Sequence, residues 1–146
     1  KVFDFYIKDP SNNNEKFQRA RIRKLLNGLK KDGLDQKKII KTIENLKKSN
    51  DVVDYYVKKN LEKNSFFSHT KKHLILNDKF FKQPHEIVFR SLSDSLNFIS
   101  KNYYSVRGKK IDKIIKDIKK TSFSRSTLGN CLIEKVNQTI IISKEH

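Results

Sequence analysis

Leu132-Ile133-Glu134-Lys135-Val136-Asn137-Gln138-Thr139-Ile140-Ile141-Ile142 is the stretch that decides the fold. Two apolar runs, Leu132-Ile133 and Thr139-Ile140-Ile141-Ile142, flank Val136-Asn137-Gln138. β-Branched residues on both sides of a short polar break read as the strands of a hairpin, although Asn-Gln is a weaker turn signal than Asn-Gly. The longer periodic segments upstream repeat at helical spacing instead. The chain therefore reads as α+β, mostly helical over its first two-thirds, with a small mixed α/β lobe that closes on a terminal β-hairpin.

Working back from the hairpin, Ile111, Ile114, Ile115 and Ile118 form the stripe of a helix that begins near Lys109, and Val88, Leu92, Leu96 and Ile99 form the buried face of another. Pro84 fits the first turn of the latter, where its missing N–H costs nothing. His73-Leu74-Ile75-Leu76 before Asn77-Asp78 reads as a short strand and turn. Residues 62–70 read as a loop. Further upstream, Asp35 is a candidate N-cap, with Leu34 and Ile39 placed to close a hydrophobic staple. The helix it starts carries Ile39, Ile43, Leu46, Val53 and Val57 on one face and is expected to reach about Leu61, with a break near Ser49-Asn50-Asp51 as an option. An earlier helix, from near Asn14 to Gly33, has Ile22, Leu25, Leu26 and Leu29 at i, i+3, i+4 and i+7, with Lys30-Lys31 in its last turn.

The 146 residues carry 33 basic and 16 acidic side chains, a formal charge of +17. A field of that sign favours polyanions, with nucleic acid the leading partner class. Only six of the cations are Arg, while Lys, Asn, Ile and Phe abound, so part of the excess reflects an AT-rich codon bias. No run approaches the length of a membrane span, no signal-peptide pattern opens the chain, and one cysteine, Cys131, forms no internal disulfide. These features lead to the expectation of a cytoplasmic protein. The start at Lys1 and the lack of Met suggest a segment of a longer one.

Phe17-Gln18-Arg19-Ala20-Arg21-Ile22-Arg23 follows the turn-forming Asp9-Pro10-Ser11-Asn12-Asn13-Asn14. Arg19 and Arg23 share a helix face, and guanidinium groups suit bidentate phosphate contact; a solvated or salt-bridged face with Glu15 or Asp9 is the alternative. Arg107-Gly108-Lys109-Lys110 puts cations at a helix N-terminus, where the macrodipole disfavours each by roughly 0.3–1 kcal/mol unless an anion is bound. Lysines extended into water are the alternative there.

Asp9-Pro10-Ser11-Asn12, then Arg19 and Arg23, resembles the Asp-x-Ser/Thr-Asn … Arg-Asn-x-x-Arg signature that closes the catalytic domain of the tRNA(Ile)-lysidine synthetases and leads into their helical domain. Ala20 stands where that family usually has Asn. Tyr104-Ser105-Val106-Arg107 and Ser126-Thr127-Leu128-Gly129-Asn130-Cys131 are similar to the Pro-Pro-Arg and Thr-Leu-Gly-Gly-Cys segments of some members. The prolines are absent, and Asn130 replaces the second Gly, a substitution that left-handed backbone tolerates. Pro84-His85-Glu86 and Arg90 resemble the linker and helix start after the short strand.

The resemblance implies a ligase that adenylates the wobble cytidine of isoleucine tRNA and lets lysine displace AMP. It implies residues 1–14 as the end of a catalytic domain, 15–68 as a helical domain and 69–146 as a small α/β lobe. ATP with Mg2+ would serve the parent enzyme, while this segment lacks the family's Ser-Gly-Gly-x-Asp-Ser loop and is expected to bind no cofactor and to be inactive alone. Arg19, Arg23, Lys24, Arg90, Arg107, Lys109, Lys110 and Arg125 become the expected tRNA contacts, Arg19 and Arg23 with a further option of completing the active site. Asp9, Ser11, Asn12 and Gly129 become structural motif residues. Isoleucine tRNA, the catalytic domain and a second copy of the chain are the expected partners, with no membrane. A general basic RNA- or DNA-binding module and a structural or interaction domain stand as alternatives.

Other groups carry less. The pairs Tyr55-Tyr56, Phe66-Phe67, Phe80-Phe81 and Tyr103-Tyr104 are expected to point one ring inward and one outward, with base stacking open to the outer ring. His69 and His73 lack a third ligand for a metal, and Cys131 reads as a small core residue.

Overall fold

A computed structural model describes residues 18–101 and 106–145. The expected helix start near Asn14, the Asp9, Ser11 and Asn12 motif and the Tyr103-Tyr104 pair lie outside the described residues. The chain divides into two compact units at Lys47/Lys48.

The first unit contains α1, described as Gln18–Lys31, and the beginning of α2, Gln36–Asn64. α1 ends as its sequence dictates. Gly33 takes a left-handed φ of 92°, and Leu34 N–H closes the turn on Leu29 O at 2.8 Å. Asp35 caps α2 by accepting from Lys37 N–H at 2.9 Å. Burial differs from the amphipathic pattern. α1 buries none of its residues, and Ile22, Leu25, Leu26, Leu29, Ile39, Ile43 and Leu46 are all exposed. Periodicity gives a helix its stripe but does not supply the surface that covers it.

The second unit holds the core. α2 continues helically through Ser49-Asn50-Asp51, without the break considered there, and Val57 and Asn60 are buried. β1, Ser65–Ser68, follows directly, in place of the expected loop over 62–70. Its partner β2, His73–Leu76, explains the difference: the antiparallel pair runs from Ser65↔Leu76 to Ser68↔His73, so pairing fixes a segment whose own composition is neutral. Asn77 then caps a 3-10 helix, Asp78–Lys82, by accepting from Phe80 N–H at 3.1 Å.

α3, His85–Ser100, starts at Pro84, whose carbonyl accepts from Ile87 and Val88 N–H. α4 is Gly108–Ile118. β3, Arg125–Leu128, is a strand that the sequence pattern does not predict; β4, Cys131–Val136, and β5, Thr139–Lys144, are the terminal hairpin. The five strands form one antiparallel sheet in the order β1-β2-β5-β4-β3. The α+β architecture, helical first and strand-rich at the end, follows the sequence reading.

One face of this sheet builds the core. Leu74 and Leu76 of β2, Cys131 and Ile133 of β4, and Ile140 and Ile142 of β5 are buried at period two. Against them lie the α3 stripe Val88, Leu92, Leu96 and Ile99 and the α4 stripe Ile111, Ile114, Ile115 and Ile118, every one of them buried. Asn60 joins α2 to this unit through buried hydrogen bonds, donating to Ser91 Oγ at 3.2 Å and accepting from Asn64 at 2.8 Å.

Both two-residue hairpin turns need left-handed backbone. Leu128↔Cys131 brackets Gly129 (φ 61°) and Asn130 (φ 60°), and Val136↔Thr139 brackets Asn137 (φ 54°) and Gln138. Gly129 and Asn130 together fit the turn class that suits the twist of a hairpin. A Cβ at Gly129 would also overlap the Val106 side chain. Gly129→Ala is therefore expected to lower stability by about 1–3 kcal/mol in urea unfolding, whereas Asn130→Gly should change it by less than about 1 kcal/mol.

Candidate nucleic-acid interface

A groove of about 1210 Å³ lies at one end of the sheet of the second unit. Its cations come from four elements. Lys71 and Lys72 lie in the turn between β1 and β2, Lys101 caps α3, Arg125 opens β3 and Lys144 closes β5. Among the described residues lining it, Glu145 is the single carboxylate. All five cationic residues are exposed. Cations so placed on several walls give a local field that a net charge alone does not specify.

Aromatic rings share the groove. Phe67 of β1 stands edge-on to Phe98 of α3, with ring centroids 5.2 Å apart, and edge-on to His69 at 5.0 Å. Phe67 is partly buried against the core, while Phe98 is 58% exposed. In β1 the two faces separate as expected, Phe66 outward and Phe67 inward. Phe80 is buried and Phe81 packs partly against the core. Tyr55 and Tyr56 depart from that pattern. Both are exposed, because Tyr55 lies nearly opposite the buried Val57 and Asn60 face of α2 and Tyr56 on its flank, and Lys59 Nζ lies 5.7 and 5.8 Å from their centroids.

The arginines and lysines read from the sequence fall into separate places. Arg19, Arg23 and Lys24 are exposed on α1 in the first unit. Arg107 is the N-cap of α4, with no side-chain cap hydrogen bond and no acidic residue in the first turn, and Lys109 and Lys110 are exposed beside it. Arg125 alone of the expected contacts lines the groove. The sequence does not single out Lys71, Lys72, Lys101 and Lys144, because no local spacing marks residues drawn together from one turn and the ends of two other elements.

Arg90 has a different setting. Its Nε donates to Glu86 Oε1 at 2.7 Å, and its Nη1 donates to Asn50 Oδ1 at 2.6 Å and to Asp54 Oδ1 at 3.1 Å. Hydrogen bonding to Glu86 is the main influence pushing its pKa further up. The guanidinium thus ties α3 to α2, with its donors directed at protein acceptors. The four glycines likewise assemble no phosphate-cradling loop, since Gly28 lies inside α1, Gly33 follows it, Gly108 opens α4 and Gly129 turns a hairpin. No step through ATP is assigned to these residues.

Comparison with protein families, curated proteins and solved structures returned no match. Among the described residues no helix is long and apolar enough to cross a membrane.

Two expectations follow from the neighbouring groups. Arg90→Ala should lower unfolding stability by about 1 kcal/mol or less, since the pairs are partly exposed and screened, and should leave nucleic-acid affinity within twofold in the same preparation. Cys131 is fully buried, its thiol directed at Leu96 O, and burial pushes its pKa from 9.0 up to about 11. The folded state favours the neutral thiol, so stability from this group is intact below pH 9 and declines as pH rises towards 11. Thiol titration at pH 8 should find Cys131 unreactive until denaturant is added.

Proposed function

We propose that this chain is an RNA-binding region, and specifically the part of a tRNA(Ile)-lysidine synthetase that holds isoleucine tRNA. The observation that carries this reading is the groove, where Lys71, Lys72, Lys101, Arg125 and Lys144 converge with exposed aromatic surface. Phosphates neutralise the cations and release counterions, and ring faces receive bases; a structural domain requires neither.

The particular family is supported by the motifs that frame α4. Gly129 and Asn130 adopt φ of 61° and 60°, a left-handed backbone that a Gly-Gly pair at these positions would adopt without strain. Arg107 stands at the N-terminus of α4, where backbone N–H groups and a side-chain guanidinium together suit a phosphate. In this reading the chain positions tRNA in the cytoplasm while adenylation of the wobble cytidine and lysine transfer belong to a catalytic domain, which uses ATP and Mg2+. Arg19 and Arg23, exposed on α1, would face either that domain or the tRNA.

Filter binding of the 146-residue chain to isoleucine, methionine and unrelated tRNAs over a salt series tests the proposal. Selective retention of isoleucine tRNA near physiological salt is the expected result. Equal, steeply salt-dependent binding to every RNA would leave only a general basic nucleic-acid module, and no binding would sink both. Arg107→Glu with Lys110→Glu should weaken tRNA binding at least tenfold while thermal stability stays level or rises slightly, because carboxylates suit a helix N-terminus. Unchanged affinity would remove the α4 contact from the proposal.

A further inference from the structure

We infer that the groove between the β1–β2 turn and the end of α3 is built for unpaired nucleotides, with a base stacked on Phe98 and the flanking phosphates held by Lys72 and Lys101. This rests on the RNA-binding reading and narrows it to a class of RNA element.

The backbone at the two lysines carries the inference furthest. Four non-glycine residues of the described chain have positive φ: Lys72 (51°), Lys101 (54°), Asn130 (60°) and Asn137 (54°). The two asparagines sit in hairpin turns, where Asn is the ordinary non-glycine choice for left-handed backbone. Lysine has no such preference, and the position after a helix that Lys101 occupies is most often Gly or Asn. Both exceptions line the same groove. Codon bias does not explain them, since an AT-rich bias supplies Asn as readily as Lys. Unfavourable backbone retained at two separate turns of one cavity points to a requirement for the side chains.

The aromatic geometry selects the form of the ligand. Phe98 is held by the edge-on contact with Phe67 yet is 58% exposed, so much of its side chain is open to solvent in the groove that the cations line. Bases in a duplex are already stacked on one another and present only edges and backbone, leaving such a face unused. An unpaired base can turn out of the strand and lie on the ring, while a flexible backbone follows cations that stand on several walls. A protein ligand would need carboxylates to match the lysines and would leave the stacking surface without a specific role.

The test compares the full chain and its variants against a fluorescein-labelled, unstructured 12-nucleotide RNA and a blunt 12-base-pair RNA duplex. The wild type should prefer the single strand. Phe98→Leu keeps apolar bulk but removes the π face, and should cost the single strand about five- to a hundredfold in affinity with the duplex changed less than twofold. Phe98→Trp should restore single-strand affinity, which simple loss of packing against Phe67 would not predict. Lys72→Gly with Lys101→Gly should keep or raise the melting temperature and flatten the single-strand salt slope by about 1.4, the value for two lost phosphate contacts. The inference is overturned if Phe98→Leu affects both RNAs equally or neither, or if the glycine pair leaves the slope unchanged. Tight duplex binding without single-strand binding would overturn it while sparing the broader RNA reading; failure of both RNAs to bind would remove the broader reading as well.

Discussion

The pairing of β2 with β5 is the constraint on which the second unit depends. Leu74, Ile75 and Leu76 lie opposite Ile142, Ile141 and Ile140, so two segments far apart in the sequence share a ladder. Closing so long a loop is entropically unfavourable, and the compensation comes from what the pairing assembles. It sets Leu74, Ile142 and Ile133 side by side on one face, all buried in one cluster with Leu92 and Leu96 of α3. The same register brings the turn after β1 and the end of β5 to one end of the sheet. Lys71, Lys72 and Lys144 therefore meet as a consequence of core formation, and a register slip of one residue would turn Ile140 and Ile142 out of the core and put Thr139, Ile141 and Ser143 in their place.

Charge is arranged with the same economy. The carboxylates of Asp54 and Glu86 are engaged by Arg90, Asp117 by Lys120, Asp78 by Lys82, and Asp112 lies beside His85. These pairs sit on the helices and the 3-10 segment, away from the groove, where Glu145 is the one carboxylate among the described lining residues. Each exposed pair adds little to stability. Their collective effect is spatial, because acidic residues paired with cations elsewhere leave Glu145 alone against five cations among the described residues of the groove. Polar burial plays the structural part instead: Asn60, with Ser91 and Asn64, satisfies hydrogen-bonding groups inside the α2–α3 contact, where an unmade bond would be costly.

Helices and the last hairpin were legible because their signals are local. The stripes of α3 and α4 state both the period and the buried face, Asp35 and Gly33 state the cap and the stop, and the isoleucines of β5 have little alternative to a strand. β1 and β3 were not legible. Ser65-Phe66-Phe67-Ser68 and Arg125-Ser126-Thr127-Leu128 are the two edge strands, and each is strand because a neighbour with stronger propensity offers it a ladder. The exposed stripe of α1 shows the converse limit, since apolar periodicity reveals a helix without revealing its cover. At the site, Arg125 and the outward-and-inward alternation of Phe66 and Phe67 could be read in advance. The left-handed backbone of Lys72 and Lys101 could not, because φ at a turn is decided by the elements it joins.

The net charge of +17 is therefore the weaker half of the functional argument, though it is the most visible number in the sequence. Scattered lysines attract any polyanion, and salt at physiological strength screens them beyond about 8 Å. What separates recognition from attraction is a shape that only some polyanions fit. Here the sheet end offers an exposed ring whose orientation is fixed by Phe67, and cations whose positions are fixed by turns that would prefer other residues. A drift in codon usage can raise the number of lysines, but it has no means of placing two of them at left-handed positions in separate turns that line one groove.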